Sequence, residues 1–304
     1  MNRKKMIKQG SAVALALTLA LSAMILPQVR AATAIDTDTK CSVNFEVTLD
    51  SAQENREDLG NLKVPVKISL YQVASVNEYG EYQTLEGFGD LELDKIDSNT
   101  TAEEWIEKAE TAMGVVEASQ GAIAPVDNSP VTLEKNQAGT ALTGSLDGLA
   151  VGMYLVVADD AYSSQYSYSF SPYLLALPNN TYYETKDDTW LYNVKTDLKP
   201  EQTQRYGDLE IEKTLTSYNA TVGGASFVFS VDAALDNETV YSDVVSVVFS
   251  EAGTRSILVE DLPAGAAVTV TEIYSGAGYS PAAGTQTTQT VTIVADPIEG
   301  EVVD

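Results

Sequence analysis

Strict alternation of apolar and polar side chains restricts this chain more than any other feature. Val43, Phe45, Val47 and Leu49 fall at every second position, as do Val64, Val66, Ile68 and Leu70. Successive side chains of an extended strand point to opposite faces, so a period of two sets one apolar row against a core and one polar row in water. The same pattern marks Met153–Asp159, Tyr173–Leu177, Trp190–Leu198, Leu209–Leu215, Phe227–Val231, Val244–Phe249, Ile257–Val259, Val268–Tyr274 and Thr290–Ala295, with Gly, Asn, Asp or Pro between the runs. Many short strands separated by turn residues predict an all-β chain of antiparallel sandwiches rather than a parallel sheet. One segment breaks the pattern. Between Asn99 and Gln120, Thr101 caps a run with Glu103, Glu104, Trp105, Ile106 and Ala109 at helical spacing, which predicts a single helix inserted in the first domain.

The N-terminus reads as an export address. Arg3, Lys4, Lys5 and Lys8 precede an uncharged apolar run from Ser11 to Pro27, and small residues follow at Ala31, Ala32 and Ala34. Residues 1–34 are therefore read as a signal peptide cleaved after Ala31 or Ala34, which leaves a mature chain with no membrane insertion. Removing five basic residues makes that chain still more acidic than the formal net charge of −26. Such a field repels nucleic acid and anionic lipid, so nucleic-acid partners are excluded. The single cysteine, Cys41, cannot form an intrachain disulfide and lies in phase with Val43 and Phe45, as a buried small hydrophobe would. No lipobox precedes it.

The chain contains no histidine, which removes Ser-His-Asp and Cys-His nucleophile systems and the commonest zinc and iron ligand sets. Carboxylate pairs abound among 44 acidic residues, but none sits in a recognisable glycosidase frame. Asp36 with Asp38, and Asp94 with Asp97 and Asn99, lack a full calcium ligand pattern and read as solvated turns. No cofactor, no metal and no enzymatic activity are expected.

A polar segment, Lys199–Gly207 (KPEQTQRYG), reads as strand-poor and separates a domain over residues 35–200 from one over 207–304. Internal similarity supports this division. Leu149, Gly152, Leu155, Val157 and Asp159 align at a constant offset with Leu262, Gly265, Val268, Val270 and Glu272, as two copies of one strand-turn unit would.

Two residues break the alternation of the second domain. Lys213 is in phase with Leu209, Ile211 and Leu215, and Glu272 with Val268 and Val270, so each polar head points to the apolar side of its strand. Either these long stems reach water at a sheet end, or both heads are buried. Burial favours the neutral forms of an amine and a carboxylic acid, which together are the ingredients for amide-bond formation.

The stretch VTVTEIYSGAGY, from Val268 to Tyr279, is similar to the E-box of collagen-adhesin B-type (Cna B-type) and pilin domains of Gram-positive surface proteins, and the turn Asp261–Gly265 fits the same family. The resemblance implies two tandem Ig-like β-sandwiches and an internal isopeptide bond, in which a first-strand Lys attacks an Asn side chain while the E-box Glu relays protons. Lys213 and Glu272 match the first and last of these roles. The Asn partner is absent, since no Asn follows Ile293. Asp304 is a poor substitute at the chain's end.

The N-terminal part resembles the corresponding domain of pilins through KISLYQVA (Lys67–Ala74), FSPYLLALP (Phe170–Pro178) and TWLYNVKTDLKP (Thr189–Pro200). Trp190, Val194 and Lys199 occupy the Trp, Val and Lys positions of a degenerate pilin motif, so Lys199 is the candidate intersubunit crosslink. Asp159 holds the E-box position of this first domain, and no Lys lies in phase on its first strand. Sortase and other pilin subunits are the implied partners, and the implied location is extracellular and wall-attached. No sorting signal lies between Thr290 and Asp304, so the chain reads as a piece of a longer pilin-like or adhesin protein. The alternative is a secreted glycan- or host-matrix-binding module that presents the Tyr-rich segment Ala161–Phe170.

Overall fold

A computed structural model describes residues 34–49, 58–97, 99–180, 189–221 and 223–298. The leader read over residues 1–34, Ala34 excepted, and Asp304 lie outside the described residues.

The N-terminal unit is built from β1 (Cys41–Thr48), β2 (Lys67–Val76), β3 (Tyr82–Thr84), the helix α1 (Ala102–Ala118), β4 (Val131–Thr132), β5 (Glu134–Lys135), β6 (Ala141–Leu149), β7 (Gly152–Ala158), β8 (Ala161–Tyr162), β9 (Tyr166–Ser169), β10 (Tyr173–Leu177), β11 (Asn179–Asn180), β12 (Trp190–Leu191) and β13 (Asn193–Asp197). One sheet runs β13-β1-β6-β5 and the facing sheet β10-β7-β2-β3, with β4 also on β2. Val43, Phe45 and Val47 of β1 pack between the sheets against Ile68, Leu70, Tyr154 and Val156. All pairings are antiparallel except that of β1 with β13, which is parallel.

Helix α1 lies where the alternation is interrupted. The Thr101 hydroxyl accepts from the Glu104 amide and the Glu104 carboxylate accepts from the Thr101 amide, a complete capping box. Ala109 and Ala112 then pack on Val73, Met153, Leu155 and Ala176, on the sheet face turned away from the sandwich core. With both of its faces covered, β7 is buried from Gly152 through Val156 and reads as a continuous apolar run.

The C-terminal part contributes β14 (Glu201–Gln204), β15 (Tyr206–Leu215), β16 (Ala225–Leu235), β17 (Glu238–Phe249), β18 (Gly253–Pro263), β19 (Ala267–Tyr274) and β20 (Thr288–Thr292). The sheets β15-β18 and β17-β16-β19-β20 enclose Ile211, Phe227, Phe229, Val247, Phe249, Val259 and Val268. The strand-turn repeat extends to register. Cys41 pairs with Leu149 and, after a shift, Val43 with Leu146; Gly207 pairs with Leu262 and, after the same shift, Leu209 with Val259. Val47 thus occupies in the first unit the place of Lys213 in the second.

The segment read as strand-poor is not a free linker. Glu201–Gln204 form β14, antiparallel to β9, because backbone ladder bonds need no apolar side chains on an edge strand. Arg205 is 7% exposed; its guanidinium donates to the carbonyls of Ser163 and Asp296, and its amide donates to Gln165. The Gln204 side-chain amide reaches the carbonyls of both Gln165 and Ala264, and so bridges the two sandwiches.

Candidate functional site

The Lys213–Glu272 pair lies between the sheets of the C-terminal sandwich. In β15, Leu209, Ile211, Lys213 and Leu215 are turned inward while Asp208, Glu210, Glu212 and Thr214 are exposed. Opposite, β19 carries Glu272 two residues beyond Val270 and pairs with β16, where Phe229 is its neighbour. The Lys213 ammonium donates to Glu272 Oε2 at 2.7 Å, and the two side chains are 14% and 4% exposed. The ammonium also sits 4.7 Å from the centre of the Phe227 ring, whose negative face attracts a cation.

Further rings pack on Phe227. Phe227 packs edge-on against Phe249 and at a tilt against Tyr279, the last residue of the E-box-like stretch. The Tyr279 hydroxyl accepts from the Asn219 amide at 3.0 Å, which ties the loop after β15 to the loop after β19. Glu272 Oε1 is buried and has no hydrogen-bond partner among the described residues. A carboxylate oxygen kept from water without a donor is costly, so this is a position where an added N–H would be stabilising.

Lys199 stands exposed between β13 and β14, outside that sandwich. Val194 of the same motif is buried in β13, and Leu198 donates its amide to the Glu46 carbonyl, so the strand before Lys199 is held to β1. Asp159 is exposed just past the end of β7, and Val47, in the place of Lys213, is fully buried, so these two positions form no counterpart of the Lys213–Glu272 pair.

The Tyr-rich segment is partly buried. It folds as the β8–β9 hairpin, with Tyr168 and Ser163 fully buried and Tyr162 beneath the Arg205 guanidinium, 5.9 Å from its ring centre. It serves the junction between the sandwiches. Sequence reasoning missed this role because Tyr and Ser alternate here as they do in exposed strands. The Asp36 carboxylate accepts from the Asp38 amide and the Thr39 hydroxyl, as a turn cap does. No cluster of metal-binding side chains occurs among the described residues. No helix among them is long and apolar enough to cross a membrane.

Solved structures of pilus proteins align with the chain at low identity. The full-length major pilin SpaD of Corynebacterium diphtheriae matches at 14% identity over 80% of this chain and 64% of its own, with a TM-score of 0.31. A streptococcal ancillary pilin matches at 14% identity over 86% of this chain and 60% of its own, with a TM-score of 0.25. A C-terminal fragment of the pilus adhesin SpaC from Lactobacillus rhamnosus GG matches at 10% identity over 87% and 89%, with a TM-score of 0.24. The chain therefore spans less than two thirds of the length of the first two structures. No curated protein matches it. Residues 209–304, which begin on β15 and include both Lys213 and Glu272, match the family described as a domain of unknown function (DUF5979).

Proposed function

We propose that this chain is a non-enzymatic subunit of a bacterial surface structure, pilin-like or part of an adhesin stalk, exported and displayed outside the cell. The observation that carries the reading is the Lys213–Glu272 pair, buried against Phe227 in the second of two tandem sandwiches. A buried amine held against a carboxylate is arranged for one covalent step with an Asn side chain, which residues 294–304 do not supply and a longer form of the protein would bring. The Lys213 nitrogen attacks the side-chain carbonyl carbon of an Asn brought alongside β15, Glu272 passes a proton from the amine to the leaving nitrogen, and ammonia departs. One C–N bond forms and one breaks. The new amide N–H would point to Glu272, whose Oε1 has a place for it. A sandwich closed in this way resists pulling without a disulfide, which a chain with one cysteine cannot make.

Intact-mass measurement on the folded protein isolated from its native surface tests the step. A mass about 17 Da below that of the same polypeptide unmodified, returning to full mass in Glu272→Ala, is expected from the stoichiometry of amide formation. An unmodified mass would make the pair structural only. Assembly through Lys199 is tested separately with the cognate sortase: polymers that persist in Lys199→Ala would show that another residue joins the subunits.

A further inference from the structure

The edge strand β20 has a composition that sets it apart from the other edges. The sheet β17-β16-β19-β20 ends on it, and all five of its residues, Thr288–Thr292, are exposed. Its inner side is occupied. The Thr287 carbonyl accepts from Glu272, and Ile293 both donates to Ala266 and accepts from Gly265. Alternate residues of a strand aim their backbone groups to opposite sides, so Thr288, Thr290 and Thr292 direct theirs outward.

Exposed edges are ordinarily blunted by charge, shortness or cover. Here β13 carries Lys195 and Asp197, β5 is the dipeptide Glu134–Lys135, β14 begins with Glu201, and β17 carries Glu238 and Asp243. β3 has three residues, and the uncharged β10 is buried or half-buried and packs beside α1. None of these devices protects β20. Residues 273–295 contain no charged side chain, in a protein whose formal charge is −26. The nearest carboxylate in its cross-strand row, Asp232, lies two strands away and accepts from Ser242.

We propose that β20 is a homotypic docking edge, on which a second copy of this chain pairs its own β20 antiparallel about a two-fold axis at Thr290. That register sets Thr290 opposite Thr290 and Thr288 opposite Thr292, and these are the residues whose outward groups can exchange both ladder bonds. It also continues a side-chain ladder already present, in which Thr269 meets Thr290 at 3.1 Å and Thr271 meets Thr288 at 3.2 Å. A second copy is the occupant that fits because two strongly acidic chains repel everywhere except across a charge-free edge, and this edge is self-complementary about a dyad.

Sedimentation equilibrium of the purified full chain is expected to show a monomer–dimer equilibrium that shifts toward dimer as salt screens the acidic surfaces. Thr290→Lys, which opposes two ammonium groups at the axis, should yield monomer with an unchanged unfolding midpoint. Thr290→Cys should give a disulfide-linked dimer under mild oxidation, since directly opposed hydrogen-bonded residues lie about 5.5 Å apart at Cα, within disulfide range. Val291→Cys, off the axis, should crosslink far less. A wild-type chain that stays monomeric at every concentration and salt, or a dimer indifferent to Thr290→Lys, overturns the proposal.

Discussion

Lys213 and Glu272 are 59 residues apart in the chain and 2.7 Å apart in space, each on the inward row of its own strand. The two charges are mutually compensating in a place where neither could be left alone. Their attraction repays the loss of water only while both are present. An aromatic ring lies against the ammonium, and one carboxylate oxygen is unpartnered among the described residues, which sets the site apart from the apolar core around it.

Glu272→Ala strands the ammonium and is expected to destabilise the C-terminal sandwich by about 3–5 kcal/mol in denaturant unfolding. The double variant Lys213→Met with Glu272→Leu should recover most of that loss, because it removes both desolvation costs and keeps the volume. Additive losses in the double variant would mean that the two side chains do not act as a pair.

Gly207→Ala tests the seam where the segment after β20 meets β15. A β-carbon there would overlap the Val294 carbonyl oxygen, which is backbone and cannot swing away. Overpacking of this kind costs about 1–3 kcal/mol. The expected readout is a lower midpoint for the C-terminal sandwich, and an unchanged midpoint would place Val294 elsewhere. The equivalent position of the first unit accepts a side chain, Cys41, which shows that the restriction belongs to this seam.

Arg205→Ala should uncouple the two sandwiches. It deletes charged hydrogen bonds to the Ser163 and Asp296 carbonyls, each worth about 1.5–3 kcal/mol, and takes a donor from the buried Ser163 carbonyl. Calorimetry should resolve a single unfolding transition into two. Arg205→Lys should fail to restore it, since one ammonium cannot reproduce the fork that spans both carbonyls. Identical scans for wild type and Arg205→Ala would rule out coupling through this residue.

Burial pushes the Cys41 thiol up to about 11, the one nearby opposing influence being the positive charge of Lys40. The folded state holds the proton to higher pH than the unfolded chain, whose thiol ionises nearer 9, so this contribution to stability is complete below pH 9 and is lost as pH rises toward 11. A thiol reagent at pH 8 should leave the native protein unlabelled and modify it stoichiometrically in denaturant. Rapid native labelling would show that β1 opens readily.

Local patterns were legible wherever one side of an element faces water. Thr101 and Glu104 announce α1, and β10 coincides with Tyr173–Leu177 because its ends are set by Pro172 and Pro178. The inward phase of Lys213 and Glu272 was equally plain, since a period of two assigns every residue to a face. Other elements were hidden. β6 was not recognised because Gly144 and Gly148 interrupt its alternation, and Gly144 is small because Val131 and Leu133 crowd the space a side chain would take. Val64 lies before β2, held by a lone bridge to Tyr162. The parallel partnership of β1 with β13 and the conversion of a polar segment into β14 also came as additions. The sequence by itself determined which side chains turn inward, because that depends on the pleat of each strand alone. Which strands become neighbours was decided only in the tertiary structure, because backbone hydrogen bonds are the same for every residue type and leave no mark on the sequence that makes them. That is why the Arg205 junction, assembled from backbone carbonyls of residues 163 and 296, could not be read before the chain was folded.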